Sequence, residues 1–234
     1  MSGAGLDVAD LAWVADCCLR INLGEASAHD TLPRVHAAVH AVRRATIDGL
    51  VDITPAYATA LLTFDLARLD AAQAERQVRA ALLHAPDALA PTPRVREIPV
   101  CYADPCALDL EAVATAHGLS REQVIALHSG ARYTVAFLGF SPGFPYLEGL
   151  PTALATPRLT QPRPRVPWGS VAIAGRQAGV YPHATAGGWR ILGRTPLQLF
   201  AAEREAPALL QPGDVVRFVP IEHAEHLSRA AGAL

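Results

Sequence analysis

The sequence contains no lysine, and all 20 of its basic residues are arginine. A Walker A loop needs a lysine on the terminal phosphates of its nucleotide, and Schiff-base chemistry needs a side-chain amine. Both chemistries are therefore excluded for this chain acting alone. The formal net charge of -2 also argues against bulk electrostatic binding to nucleic acid or to anionic lipid.

Cysteine is scarce, and long apolar runs are missing. The four cysteines, Cys17, Cys18, Cys101 and Cys106, have no Cys-x-x-Cys spacing, which favours free thiols over a metal site or a disulfide. No apolar run approaches the roughly 18 to 20 residues of a membrane span. The N-terminal stretch Met1–Asp10 has no basic residue ahead of its apolar part, unlike a signal peptide. These absences predict a cytoplasmic protein.

The first part of the chain alternates between strand and helix periodicity. The order is strand, helix, strand, strand, helix, strand, which predicts a split βαβ sandwich. The segments are 17–23, Leu32–Ala45, Leu50–Ala56, Ala60–Asp65, Ala71–His84 and Arg96–Tyr102. The stretch Ala85–Pro93 is proline-rich and lacks periodicity. We therefore expect a domain boundary there, with a small α+β domain at 1–95 and a second domain at 96–234.

The second part begins with two helices and continues with short strands. Asp109–His117 ends at Gly118, and the next helix begins at Ser120 with Gln123 three positions later, the pattern of a capping box. The β-type runs that follow are Tyr133–Leu138, Ser170–Ala174, Arg190–Leu192, Leu197–Ala201 and Asp214–Val219. Runs of this length, separated by Gly and Pro, predict a mainly β barrel. Pro157–Pro167 is too rich in proline for a central strand, so we expect an extended loop that carries arginines.

Aromatic residues and glycines are concentrated between Phe137 and Trp189. This segment holds seven of the 14 aromatic residues and eight of the 17 glycines. Glycine and proline set backbone dihedrals that other residues resist, and large rings on such loops provide rigid contact area. We therefore expect the function to lie here, in a pocket or in a subunit contact.

The segment Gly139-Phe-Ser-Pro-Gly143 matches the G-x-S-x-G pattern of a nucleophile elbow. In that elbow the residue after the serine donates its backbone N–H to the oxyanion. Here that residue is Pro142, which has no N–H. The pattern therefore indicates a turn that lines a pocket rather than a nucleophilic Ser141.

Histidines and arginines supply the remaining candidates. His36 and His40 are four residues apart on a predicted helix, but no third ligand joins them, so we interpret them as solvent-facing. His128 ends a helix directly before the barrel, and either a core or a site role fits it. Six arginines lie on or near the Gly/Pro-rich loops, where they suit an anionic ligand or a solvated, partner-facing surface. They are Arg158, Arg163, Arg165, Arg176, Arg190 and Arg194.

Several ordered motifs resemble one family. They are His128-Ser-Gly, Phe137-Leu-Gly-Phe-Ser-Pro-Gly-Phe-Pro-Tyr-Leu147, Leu154-Ala-Thr-Pro-Arg158, Gly169-Ser-Val-Ala-Ile-Ala-Gly175, Gly179-Val-Tyr-Pro182 and Gly187-Gly-Trp-Arg-Ile-Leu-Gly-Arg-Thr-Pro196. In these segments the chain resembles the KipI/PxpB family, also named allophanate hydrolase subunit 1. The resemblance is clearest from Pro105 to Pro220 and covers essentially the whole chain.

The resemblance implies a cyclophilin-like barrel and a role as the PxpB component of a bacterial ATP-dependent 5-oxoprolinase. That enzyme opens 5-oxo-L-proline to L-glutamate. The implied partners are a PxpC/KipA-like subunit and a LamB/YcsF-type, PxpA-like subunit, with ATP bound with or by them and no metal or organic cofactor in this chain. Two alternatives remain open: a KipI-like inhibitor of a histidine kinase, and a subunit of an allophanate hydrolase or urea carboxylase-type complex.

The candidate residues for substrate or interface contact fall on or beside these motifs, and no catalytic residue is identified among them. They are His128, Phe140, Gly143, Phe144, Tyr146, Arg163, Arg165, Gln177, Tyr181, Gly188, Trp189 and Arg194. Ala178 stands where the family usually has threonine, which removes a hydroxyl. We expect Phe140, Phe144 and Trp189 to be interface anchors, each costing about 2 kcal/mol or more of binding when truncated.

Overall fold

The computed structural model describes residues 10–25, 30–83 and 93–231, and the chain divides into two compact units after Thr92. The first unit combines a sheet with helices, and the second is built on a closed barrel. This confirms the predicted fold class, an α+β domain followed by a mainly β barrel. Most of the proline-rich stretch Ala85–Pro93, and most of Met1–Asp10, lie outside the described residues.

The first unit is a four-stranded antiparallel sheet with two helices. Its elements are β1 (Asp10–Ala15), β2 (Cys18–Asn22), α1 (Thr31–Arg44), β3 (Leu50–Pro55), β4 (Thr59–Phe64) and α2 (Ala71–Leu83). The strands lie in the order β1-β2-β4-β3. Alternate strand residues point into the core, as Leu19 and Ile21 do, and α1 adds Val35 and Val39 from one face.

The second unit closes seven strands into a barrel. Its elements are β5 (Val95–Cys101), α3 (Leu110–His117), α4 (Arg121–Gly130), β6 (Tyr133–Leu138), β7 (Pro145–Glu148), β8 (Arg163–Val166), β9 (Ser170–Ala174), β10 (Gln177–Val180), β11 (Thr185–Gly187), β12 (Arg190–Arg194), β13 (Val215–Ile221) and α5 (His223–Ala231). The barrel order is β10-β7-β6-β13-β5-β12-β9. Neighbouring strands are antiparallel except β5 and β13, which pair in parallel over seven residues. Helices α3 and α4 pack Leu110 and Val124 against the barrel core.

One strand was assigned to the wrong sheet from the sequence. The run Arg96–Tyr102, predicted as the last strand of the sandwich although it follows the predicted boundary at residue 95, is β5 of the barrel. Four consecutive residues of β5, from Ile98 to Cys101, are buried, which is typical of a strand covered on both faces. The edge of the first sheet beside β2 is instead occupied by β1, which precedes β2 in the chain.

Other boundaries follow local chemistry. Ser120 and Gln123 form the predicted capping box at the start of α4, with both reciprocal hydrogen bonds present. The run Leu197–Ala201 is not a strand and makes a single bridge, between Phe200 and Ala208. Part of the predicted arginine-bearing loop is β8, which pairs with β11 in a two-stranded ribbon outside the barrel. In the described ranges, every helix is too short or too polar to cross a lipid bilayer.

Candidate functional site

The loop between β6 and β7 places Phe140 on a strained backbone. The Ser141 N–H donates to the Gly139 carbonyl at 2.7 Å, which closes a γ-turn around Phe140. Phe140 has a φ of 66°, an uncommon angle for a residue with a side chain, and such positions cost on the order of 1–3 kcal/mol. Its ring is nevertheless 62% exposed. The turn therefore holds an apolar ring in solvent at an energetic cost that folding alone does not explain.

The same loop rules out a nucleophile elbow at Ser141. The loop joins two antiparallel strands, β6 and β7, whereas the elbow requires a strand followed by a helix. The Phe144 N–H donates to the Ser141 carbonyl at 3.0 Å, and the Ser141 hydroxyl is buried without a hydrogen-bond partner. Ser141 is therefore a turn residue, as the missing N–H of Pro142 indicates.

Five rings meet beside this turn, and we call them the aromatic cluster. Phe144 lies at its centre, with ring centroids 5.4 Å from Phe140, 5.1 Å from Tyr146, 5.2 Å from Tyr181 and 5.5 Å from Trp189. All four contacts have steep interplanar angles, the edge-to-face arrangement that aromatic pairs prefer. The cluster is therefore a rigid base that carries the exposed Phe140.

Burial corrects the expectation for two of the three interface anchors. Phe144 is 1% exposed and Trp189 is 5% exposed, so both rings are core residues in this chain. They pack on Ala172 and Ala174 of β9, on the face of the strand opposite to the barrel interior. Truncating either ring therefore removes core packing first, and of the three predicted anchors Phe140 is the one that is exposed in this chain.

Glycines allow close packing within and beside the aromatic cluster. A Cβ on Gly143, which has a φ of 79°, would lie 2.7 Å from the Cβ of Phe200. A Cβ on Gly187 would collide with the Tyr181 ring. Gly188, the neighbouring candidate, has ordinary space, since its nearest atoms lie at 3.6 Å. Close approach is therefore required at Gly187 and not at Gly188.

The arginine candidates have different surroundings. The Arg158 guanidinium lies 5.7 Å from the centre of the Trp189 ring, so it places a cation over the aromatic cluster. Arg163 donates to the buried carboxylate of Asp109 at 2.7 Å. Arg194 stacks on Trp168 and donates to its carbonyl at 2.8 Å, while Arg165 is exposed on β8. Arg158 is therefore the cation best placed to meet an anionic ligand here.

Tyr181 links the rings to these cations. Burial raises the pKa of its phenol, and a backbone hydrogen bond from Trp189 and the charges of Arg158 and Arg163 partly offset that rise in pKa. The phenol is therefore a neutral hydrogen-bonding group near pH 7.

His128 and Gln177 lie apart from the cluster. His128 is fully buried, stacked on Phe218 at 4.6 Å, and its Nδ1 is 2.8 Å from the Tyr102 hydroxyl. Burial lowers the pKa of His128 from 6.5 to about 3, so the imidazole is neutral at physiological pH. Of its two open roles, the structure gives it the one in the core. Gln177 begins β10 opposite Ala174.

Asp109 and Arg158 were not among the site residues predicted from the sequence. Asp109 shares no local pattern with its partner Arg163, a predicted candidate, because the pair spans 54 residues, and the Asp109 carboxylate also accepts the Ile191 N–H at 2.7 Å. Arg158 was one of six similar arginines, and nothing local distinguished it. Within the described ranges, no three His, Cys, Asp or Glu side chains are grouped as a metal site requires.

Comparisons with known proteins agree on the family. The sequence profile of the carboxyltransferase domain, subdomain C and D, matches residues 9–210. The chain is 36% identical to the B-type subunit of the Bacillus subtilis 5-oxoprolinase over 223 residues, which are 91% of this chain and 93% of that protein. It is 56% identical to the corresponding 5-oxoprolinase subunit of Escherichia coli O157:H7 over 57% of this chain and 62% of that one.

Solved structures agree on the fold. TTHA0988 has a TM-score of 0.78 and 40% identity, and the match covers 88% of this chain and 40% of the TTHA0988 chain. The urea carboxylase of Kluyveromyces lactis, at 19% identity, shares the fold with a TM-score of 0.72 over 95% of this chain and 22% of its own. The chain therefore belongs to the carboxyltransferase subdomain C and D family, among the B-type 5-oxoprolinase subunits that the KipI/PxpB resemblance indicates.

Proposed function

We propose that this chain is the PxpB-type component of a cytoplasmic, ATP-dependent 5-oxoprolinase that opens 5-oxo-L-proline to L-glutamate. The observation that carries the proposal is the match to the 5-oxoprolinase subunit of Bacillus subtilis across 91% of this chain and 93% of that protein. An alignment over nearly the full length of both proteins supports a common role better than a shared motif does. The partners we propose are a PxpC/KipA-like subunit and a LamB/YcsF-type subunit.

The chain's own residues favour a contribution to a shared active centre. It has no lysine, and its candidate histidine, His128, is buried and neutral. Neither a lysine nor His128 is therefore available at the surface as a base or nucleophile. What the surface offers is Phe140, held in solvent by its turn, and Arg158 over Trp189. We assign Phe140 to contact with the PxpC/KipA-like subunit, where an aromatic anchor contributes most.

Arg158 is the residue we assign to the substrate. The planar guanidinium can bind a carboxylate through two parallel hydrogen bonds, and 5-oxoproline carries one carboxylate. Contact with Trp189 restricts the guanidinium before substrate arrives, which lowers the entropy lost on binding. Arg163 is less suited, because Asp109 already neutralises its charge.

ATP supplies the free energy that opening a resonance-stabilised lactam requires. Without a Walker A lysine, this chain has no P-loop of its own. We therefore assign ATP to the partner subunits or to a site completed by them. The role left to this chain is to orient the substrate and to exclude water around it.

The test is reconstitution from three purified subunits. We expect ATP-dependent glutamate release from 5-oxoproline only when this chain is present. Arg158→Gln should raise KM for 5-oxoproline by about tenfold or more, because a charge-assisted pair is lost. Arg176→Gln, which changes an exposed arginine in the turn between β9 and β10, is the matched control and should leave KM unchanged. No turnover from the complete complex would remove the proposal.

Carboxyl transfer is the second candidate. The matching family profile is that of a carboxyltransferase domain, and the urea carboxylase of Kluyveromyces lactis shares the fold. The same purified complex, supplied with urea-derived substrates and a biotinylated carrier, separates the two functions. Biotin-dependent turnover would favour carboxyl transfer, and glutamate release without biotin would favour 5-oxoprolinase activity.

A further inference from the structure

The barrel unit has a second surface feature, which shares no residue with the aromatic cluster. It is an open groove of about 920 Å³, and we call it the arginine groove. It is lined by four arginines and by apolar residues, among them Arg94, Arg96, Arg204, Arg229, Leu197 and Leu209. None of them was a predicted site residue. The volume falls within the range of small-molecule sites, which is roughly 300–1,000 Å³.

Arg96 is the most unusual of these residues. It lies near the start of β5, two and four residues before Ile98 and Val100, which fill the barrel core. Because strand side chains alternate, Arg96 is in the core-facing register at the end of the barrel. Its Nε is buried and has no hydrogen-bond partner in the structure. A charged side chain held in a core-facing register without a carboxylate partner among the described residues leaves its positive charge uncompensated at this end of the barrel.

The charges in the groove are only partly compensated. Arg94 donates from Nε and Nη2 to the buried carboxylate of Asp214, at 2.8 and 2.7 Å, which fixes its orientation. Arg229 pairs with Glu225 at 2.5 Å on α5. Arg204, in contrast, donates to the backbone and side-chain oxygens of Gln198, which are neutral acceptors, at 3.0 and 3.2 Å.

The neighbouring carboxylates do not offset all of the positive charge in the groove. Glu203 and Glu205 flank Arg204 in sequence, but they do not line the groove. Asp214 and Glu225 each neutralise one of the four arginines. Arg96 and Arg204 therefore face the groove without a carboxylate partner among the described residues, and the groove carries an excess of positive charge.

We propose that the arginine groove binds a small molecule that carries at least two oxyanion groups, phosphate or carboxylate. Arginine forks match the oxygens of phosphates and carboxylates, and Leu197 and Leu209 provide apolar contact area between the charges. Arg96 and Arg204, whose charges no described carboxylate offsets, both line the groove and offer guanidinium N–H donors to such groups. The site is independent of the proposed function, because it shares no residue with the aromatic cluster.

Binding is tested on the purified chain alone by calorimetric titration with inorganic pyrophosphate and, separately, with citrate. We expect saturable binding of at least one, and the two probes distinguish a phosphate site from a carboxylate site. Arg204→Gln, on an exposed loop, should weaken binding by about tenfold or more. Arg217→Gln is the matched control, since it removes an exposed arginine of β13 that pairs with Glu97 outside the groove.

Arg96 supplies a second readout that the loop variant does not. In NMR spectra of the arginine side chains, the Arg96 Nε–H should shift on addition of the bound probe, and Arg96→Gln should remove binding while the chain stays folded by circular dichroism. Absence of binding for both probes, or equal affinity in Arg204→Gln and the wild type, would overturn the proposal. Either result leaves the proposed 5-oxoprolinase function to be tested separately by glutamate release from the reconstituted complex.

Discussion

At the residue scale, the adjacent glycines Gly187 and Gly188 have different surroundings. A methyl group on Gly187 collides with the Tyr181 ring, whereas one on Gly188 meets its nearest atoms at 3.6 Å. We expect Gly187→Ala to lower the free energy of unfolding by about 1–3 kcal/mol, because the ring is packed in the aromatic cluster and cannot move freely. Gly188→Ala is the control. Equal unfolding midpoints in urea for the two variants would contradict the packing described for Tyr181.

His128 makes the stability of the barrel depend on pH. Burial lowers its pKa from 6.5 to about 3, so between these values the unfolded chain binds a proton that the folded chain does not. The part of the free energy of unfolding that depends on a neutral His128 should therefore be fully present above about pH 6.5. It should fall by up to about 1.4 kcal/mol per pH unit as the pH is lowered toward 3. Burial also lowers the pKa of His226, which acts in the same direction.

His128→Asn isolates this contribution, because its amide can still bond the Tyr102 hydroxyl and does not titrate. We expect urea unfolding of the variant to depend less steeply on pH between 6.5 and 5 than that of the wild type. Parallel pH profiles for the wild type and His128→Asn would show that the imidazole is not held neutral in the core.

At the element scale, one ion pair fastens the ribbon of β8 and β11 to the barrel. Arg163 of β8 donates to Asp109, whose carboxylate also accepts the Ile191 N–H of β12. Arg163→Gln should therefore speed amide hydrogen exchange in β8 and β11 by about tenfold or more, because a buried charge-assisted bond is lost. Exchange in β5 and β13 should be unchanged.

Arg165→Gln is a matched control for the ribbon. It changes an exposed arginine two residues away on the same strand, and we expect it to leave hydrogen exchange at the wild-type rate. If both variants exchange alike, the ribbon is held by the packing of Val166 against the aromatic cluster and not by the ion pair with Asp109.

Patterns among neighbouring residues predicted most helices and strands. They did not show which strands pair with partners far away in the sequence. The capping box at Ser120 and the periodicity of α1 depend on neighbouring residues, so the sequence shows them directly. The sheet to which β5 belongs depends on its pairing with β13, about 120 residues later, which no local pattern reveals. β1 was also not predicted, although its pairing with β2 across a two-residue turn is local.

The candidate site was predictable as a region and less so as a set of residues. Density of Gly, Pro and aromatic residues located the cluster, since those residues shape the turn at Phe140 and the contact at Gly187. Composition does not show which rings are covered. Phe144 and Phe140 are four residues apart in one motif, yet the first is buried and the second is exposed.

At the scale of the whole molecule, the division between buried and exposed rings decides how a partner binds. We expect Phe144→Ala to lower the free energy of unfolding by about 3–5 kcal/mol, because it leaves a cavity among four rings. Phe140→Ala should leave stability unchanged or slightly higher, since the replaced ring is 62% exposed. Leu227→Ala, on α5 and 55% exposed, is the control for removing an exposed apolar side chain. Thermal unfolding of the three variants measures these differences.

A chain without lysine, whose candidate histidine His128 is buried, suits a shared active centre, and the concentration of this chain required for catalysis is the direct test. The measurement is ATP-dependent glutamate release as this chain is titrated into the two partner subunits. We predict negligible release without it, saturable release with the wild type, and about a 30-fold higher half-saturating concentration for Phe140→Ala, which corresponds to about 2 kcal/mol. Full turnover by the partners alone, or identical titration curves for the wild type and Phe140→Ala, would contradict this.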